Sequence, residues 1–177
     1  MVSPNQVATP HLLLVIPYSA TMTNQMSTST SPQGEQILSK TIKIDAPTSK
    51  VWDALTNPEI MKKWMSETEI DIVTDWKVGN SIIIRGDLHR IKFENKGMIL
   101  QLEREKVLKY SHLSSLSRLP DETRNYSIME FLLAPMGNQT KLTLTLSNFP
   151  TDSIYKHLAF YWNVTLEILK KMIEAGR

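Results

Sequence analysis

Between Asp152 and Ala175 largely apolar residues return every three or four positions: Ile154, Leu158, Tyr161, Trp162, Thr165, Leu166, Leu169, Met172 and Ile173. On a helix this spacing makes one broad stripe, with Lys156, Glu167, Lys170, Lys171 and Glu174 mostly off it. Pro150 breaks the preceding chain, Thr151 or Asp152 can cap the start, and Gly176 follows the end. At ~1.5 Å per residue such a helix is about 35 Å long. A helix that apolar on one side is not stable alone in water, so the rest of the chain must supply a surface of similar length.

The preceding sequence reads as that surface. Residues 38–46 alternate, with Leu38, Lys40, Ile42 and Ile44 on one face and Ser39, Thr41, Lys43 and Asp45 on the other, a half-buried strand. Pro47 stops it, and Thr48 or Ser49 caps a helix carrying Val51, Trp52 and Leu55. Asn57-Pro58 ends that helix and starts a second over 58–65, which carries Ile60, Met61 and Trp64. Strand patterns follow over 69–74, 81–85, 98–103, 107–113, 126–133 and 141–146. Gly86-Asp87 interrupts this series, and 88–93 either continues the strand before it or pairs back on it. Val78-Gly79-Asn80 and residues 135–138 read as turns, and 114–123 as a polar loop. Consecutive strands joined by short turns make an antiparallel meander. Seven strands about 4.8 Å apart form a sheet roughly 29 Å wide, which the terminal helix can cross. Strands grouped apart from helices indicate an α+β fold.

Composition narrows the function. Residues 1–36 are rich in Ser, Thr, Pro, Gln and Asn, and no lysine or arginine precedes Lys40. They read as a disordered extension ahead of one domain over 37–177. Met22 and Met26 offer later translation starts, and Leu12 to Ile16 is the extension's one docking candidate. That run is far shorter than the ~20 residues of a membrane span, and without a preceding basic residue it makes a poor signal peptide. A net charge of +2 from 20 basic and 18 acidic residues suggests neither nucleic acid nor an anionic membrane as partner. The absence of cysteine removes disulfides and thiolate chemistry and fits a cytoplasmic protein.

The residues from Ile42 to Glu59 (Ile-Lys-Ile-Asp-Ala-Pro-Thr-Ser-Lys-Val-Trp-Asp-Ala-Leu-Thr-Asn-Pro-Glu), followed by Trp64, carry a family resemblance. It continues in Trp76-Lys77-Val78-Gly79-Asn80, Lys96-Gly97-Met98-Ile99-Leu100, Thr140-Lys141-Leu142-Thr143-Leu144-Thr145, and Trp162 with Leu166 and Leu169. This set resembles the SRPBCC (START-like, helix-grip) superfamily. Within it the chain is similar to the family named for the C-terminal domain of the activator of heat-shock protein 90 ATPase. The resemblance covers about residue 37 to the C-terminus. It implies a helix-grip fold: a curved antiparallel sheet of six to seven strands wrapped on the long C-terminal helix, with two short helices after the first strand. It also implies a ligand cavity between helix and sheet, and a chaperone as partner, in a stress-response setting, for some relatives. The family often has two glycines where this chain has Gly79-Asn80, and a glycine where it has Tyr161. The larger Tyr161 is expected to fill space beside the helix.

Chemical motifs are sparse. There is no glycine-rich phosphate loop, His-Glu-x-x-His helix or Gly-x-Ser-x-Gly elbow. His11, His89, His112 and His157 lack metal-ligand spacing, so neither metal nor cofactor is expected. Gln101, Tyr110, His112, Tyr126, Glu130 and Tyr161 are the polar groups that could reach a cavity, with Glu130 pointing outward if Met129, Phe131 and Leu133 point in. His112 is the acid–base candidate, since its ordinary pKa lies near neutrality; its plainer reading is a wall histidine bonded to a neighbour. Arg85, Arg90, Arg104, Lys106 and Lys109 read as solvated strand edges. The expected ligand-binding set is Trp64, Trp76, Phe93, Tyr110, His112, Phe131, Leu158, Tyr161, Trp162 and Leu166. The expected function is binding of a small hydrophobic molecule, rather than catalysis. The alternatives are regulation of a chaperone ATPase, or a cyclase- or dehydratase-like activity using His112 as base.

Overall fold

The computed structural model describes residues 36–176. The extension read over residues 1–36, with its docking run Leu12 to Ile16, lies outside the described residues except for its last residue. The elements in order are β1 (Leu38–Ile44), α1 (Thr48–Thr56), α2 (Pro58–Met65), β2 (Ile70–Val73), β3 (Ser81–Leu88), β4 (Ile91–Glu103), β5 (Val107–Ser114), β6 (Ser127–Met136), β7 (Gln139–Ser147) and α3 (Asp152–Ala175). Two short 3-10 turns, Ser115–Ser117 and Thr123–Asn125, shape the polar loop between β5 and β6.

The seven strands form one antiparallel sheet in the order β1-β7-β6-β5-β4-β3-β2. Strands β2 to β7 are a plain meander, and β1 comes back to pair with β7. The edges are therefore β1 and β2, which α1 and α2 connect in sequence. This is the expected α+β helix-grip fold: an open curved sheet, two short helices after the first strand, and one long terminal helix.

Local chemistry explains the boundaries. Asn57 caps α2 by accepting from the Glu59 N–H at 3.0 Å, with Pro58 in the first turn. Thr151 caps α3 by accepting from the Ile154 N–H at 3.2 Å. Helix α1 departs from expectation, because Pro47 holds the cap position and no side chain caps it. The interruption at Gly86-Asp87 resolves as pairing back. Strand β3 runs straight through Gly86 to Leu88, and β4 is a single strand of 13 residues. The turn falls at His89 and Arg90, both at positive φ (52° and 72°), the conformation that a two-residue hairpin needs. Gly86 makes room rather than a turn, since a Cβ there would sit 2.7 Å from the Phe93 ring. At Gly97 a Cβ would lie 1.6 Å from the Ser111 carbonyl oxygen, so β4 and β5 approach this closely only over glycine.

The core lies between the helices and one face of the sheet. Ile82 and Ile84 of β3, Ile99 of β4, Met129 and Phe131 of β6, and Leu142, Leu144 and Leu146 of β7 are buried on that face. Against them α3 buries Leu158, Trp162, Thr165, Leu166, Leu169 and Ile173, the stripe read from its periodicity. On the opposite face Glu130 pairs with Lys109 at 2.7 Å, pointing outward as its neighbours require. The far end of α3 also reaches the edge strand: Lys170 Nζ donates to the Lys43 carbonyl at 2.6 Å, and Glu174 accepts from the Asp45 N–H at 2.8 Å.

Candidate functional site

Helix α3 divides the space over the sheet into two flanks. Toward α2 and β5, Tyr161 donates its hydroxyl to the Met65 carbonyl at 2.7 Å, which ties α3 to the end of α2. Its ring stacks on His157, one turn earlier, with centroids 6.4 Å apart. Tyr161 thus fills the gap beside the helix, as its size suggested. Inward from it an aromatic chain runs across the core. Tyr161 meets Trp162 edge-on at 5.2 Å, Trp162 meets Phe131 edge-on at 5.4 Å, and Phe131 stacks on Tyr110 at 6.2 Å. Trp64 leans on Trp162 from α2 at 6.4 Å. Leu158 and Leu166 are buried one turn to either side of Trp162.

Seven of the ten sequence candidates therefore pack together: Trp64, Tyr110, Phe131, Leu158, Tyr161, Trp162 and Leu166. Trp76 and Phe93 are half-buried against the same core, Phe93 beside Gly86 of β3. His112 is half-buried on β5, opposite Ser127 of β6.

This flank is polar but uncharged. Burial pushes the His112 pKa down to about 4, nearby His157 lowers it further, and a hydrogen bond to its own backbone opposes them. Burial also lowers His157 and raises the Tyr110 phenol, while Tyr161 is pushed up to about 12 by burial. At neutral pH all four side chains are neutral. Among the described residues no other side chain hydrogen-bonds His112, and the bond it makes is to its own backbone. An imidazole with a pKa near 4 is also a weak general base at pH 7. On β4, the Asn95 side-chain oxygen is buried and has no partner among the described residues.

The other flank holds an opening. Between α3 and the β1–β7 edge lies a partly open cavity of about 470 Å³. Its sheet wall is Leu38 and Lys40 of β1 with Leu144 and Leu146 of β7. Its helix wall is Ala159, Phe160, Trp162 and Asn163. The space exists because Ala159 is small at a position facing β1, and Phe160 stands 56% exposed at the rim instead of folding in. Lys40 is occupied: its ammonium donates to the Asn163 carbonyl at 2.9 Å and to Asn163 Oδ1 at 2.6 Å, and lies 3.4 Å from Glu167. The Trp162 indole N–H is buried, and among the described residues it has no partner.

Of the ten candidates only Trp162 borders this cavity. The signal that could have found it is Lys40, a cation in phase with Leu38, Ile42 and Ile44 on the inward face of β1. Among the described residues no group of three or more His, Cys, Asp or Glu is placed to hold a metal ion. No described helix is long and apolar enough to cross a membrane.

Comparison with known proteins agrees with this architecture. A protein of Cytophaga hutchinsonii of known solution structure is 38% identical over 80% of this chain and 95% of its own, with a TM-score of 0.68. The Aha1 dimer of Colwellia psychrerythraea is 25% identical over 80% of this chain and 98% of its own, with a TM-score of 0.62. A Nitrosomonas europaea protein of 24% identity shares the fold at a TM-score of 0.66, covering 80% of this chain and 96% of its own. A search of curated proteins gives no match. Residues 45–174, from the end of β1 nearly to the end of α3, match the model of one family, so the chain belongs to the Activator of Hsp90 ATPase homolog 1-like proteins.

Proposed function

We propose that this protein binds a small, largely hydrophobic molecule between α3 and the sheet. The observation that carries the reading is the cavity of about 470 Å³ at the β1–β7 edge. Its size falls within the ~300–1,000 Å³ of small-molecule sites, and like them it combines apolar walls with a few polar groups. Leu38, Leu144, Leu146 and Phe160 supply the apolar surface, whose removal from water provides affinity. Within this reading Trp162, with Trp64 and Phe131 behind it, is the rigid wall. Tyr110, His112 and Tyr161 position that wall and do no chemistry.

A thermal-shift screen with lipids and aromatic metabolites tests the proposal, followed by amide chemical-shift mapping of the best ligand. Binders should raise the melting temperature and perturb amides around Leu144 and Phe160. Ala159→Phe, which fills the space from the helix side, should abolish binding while keeping the fold. Absence of stabilisation by every apolar ligand, or binding untouched by Ala159→Phe, sinks this reading.

A further inference from the structure

Strand β1 has β7 on one side only, and its register shows which backbone groups face the other. In an antiparallel ladder a residue turns its N–H and C=O to the same side, and its neighbours turn theirs to the opposite one. The Leu133 N–H donates to the Lys106 carbonyl at 2.8 Å, so odd-numbered residues of β6 turn to β5. Odd residues of β7 then turn to β6, and odd residues of β1 to the open side. Helix α3 agrees, since it reaches the Lys43 carbonyl and the Asp45 N–H from that side. Ser39 and Thr41, both exposed, therefore present two N–H and two C=O groups there, which have no partner among the described residues. Two further features flank this stretch. On its inner side lies the cavity, walled by Leu38, Lys40 and Ala159 and rimmed by Phe160. On its outer side Lys43 stands directly opposite Lys141 of β7, both exposed. Like charges so placed repel. Neither ammonium has an ion-pair partner among the described residues, and Asp45 beyond them accepts from Gln139 at 3.3 Å.

From this we infer that the open side of β1 takes an extended acidic peptide as an added strand. Unpaired backbone groups in register select a strand, and the pockets beside them select its side chains. Lys40 faces inward and Lys43 outward, so residues opposite them lie on opposite faces of the incoming chain. An acidic residue would meet Lys43 and Lys141, and an apolar residue three positions further on would enter the cavity beneath Phe160. A second copy of β1 fits poorly, because its outer face offers Ser39, Thr41 and another Lys43, with no acid. Edge lysines of this kind discourage self-pairing. The inference goes beyond the ligand reading. A small ligand and the strand would exclude one another from the cavity, and failure of either leaves the other standing.

The probe is the capped peptide acetyl-Glu-Val-Glu-Leu-Thr-Leu-amide, which in antiparallel register sets its first glutamate opposite Lys43 and its first leucine opposite Lys40. Titration of the full chain measures affinity, and NMR follows hydrogen exchange at the Ser39 and Thr41 amides. Binding should slow exchange at both. Lysine in place of both glutamates should weaken binding about ten-fold, as attraction at the border turns to repulsion. Methylation of the third residue's amide nitrogen, which faces Thr41, should abolish it. Thr41→Pro removes an N–H that β7 does not use, and should lose the peptide while keeping the fold. Should that variant fail to fold, Lys43→Glu with Lys141→Glu, both on the surface, should reverse the preference toward the lysine peptide. No binding of the glutamate peptide, unchanged exchange at Ser39 and Thr41, or equal affinity after methylation each overturns the added strand. Equal affinity for the two charge forms, or a preference that the double variant leaves unreversed, overturns its acidic character.

Discussion

His112 sits where the fold lowers its proton affinity, and that has a measurable sign. Its imidazole titrates at about 4 in the folded protein against 6.5 when free, chiefly because burial disfavours the cation. Between those values the unfolded chain binds more protons than the folded one. The associated stability is fully present above pH 6.5 and is lost as pH falls through the folded value, by at most about 1.4 kcal/mol per pH unit. Thermal denaturation at pH 7.5, 5.5 and 4.5 should therefore show the wild type losing stability faster than His112→Gln. Parallel losses would mean that the imidazole is not held neutral. The identity of His112 as a half-buried neutral group was legible only in part. The alternation of β5 places it on the Tyr110 face, but nothing in its neighbours reveals that no side chain would bond it.

Among the elements, α3 was the most legible, since its stripe repeats over 24 residues and both ends carry signals. Its Thr151 cap is worth about 1 kcal/mol by analogy with other caps. Thr151→Ala should lower stability by that amount in denaturant unfolding, with the slope unchanged. A loss near zero would show that sheet packing alone fixes the start of the helix. The β3–β4 hairpin was harder to read, for a physical reason. Glycine signals turns because it tolerates positive φ, but Gly86 is present because the Phe93 ring needs its missing Cβ. The true turn uses His89 and Arg90, residues that carry no turn signature, and hydrogen bonding between β3 and β4 holds them there. Similarly, α1 lacks the side-chain cap that Thr48 and Ser49 suggested, and the burial of Val51, Trp52 and Leu55 holds it instead.

Across the whole molecule, fold and site differ in legibility because they depend on different separations along the chain. The order of β2 to β7 follows from short turns, whereas the pairing of β1 with β7 joins Leu38 to Leu146 and has no local signal. The cavity depends on what two residues more than a hundred positions apart leave unfilled. Ala159 and Leu38 say nothing of a gap when read singly, so the sequence reading placed the ligand wall along the conspicuous aromatics. Those aromatics turn out mostly to hold one another.

The contacts at the far end of α3 bear on the behaviour of many molecules together. An edge strand with open N–H and C=O groups is a template on which other chains can pair. At the end of β1 the Lys43 carbonyl and, just beyond the strand, the Asp45 N–H are taken by Lys170 and Glu174, so the helix that covers the sheet also occupies one end of its border. Lys170→Ala with Glu174→Ala should uncover that border and give concentration-dependent growth of scattering particles on storage, under conditions where the wild type remains monodisperse. Identical light-scattering traces would show that the border is guarded by something else.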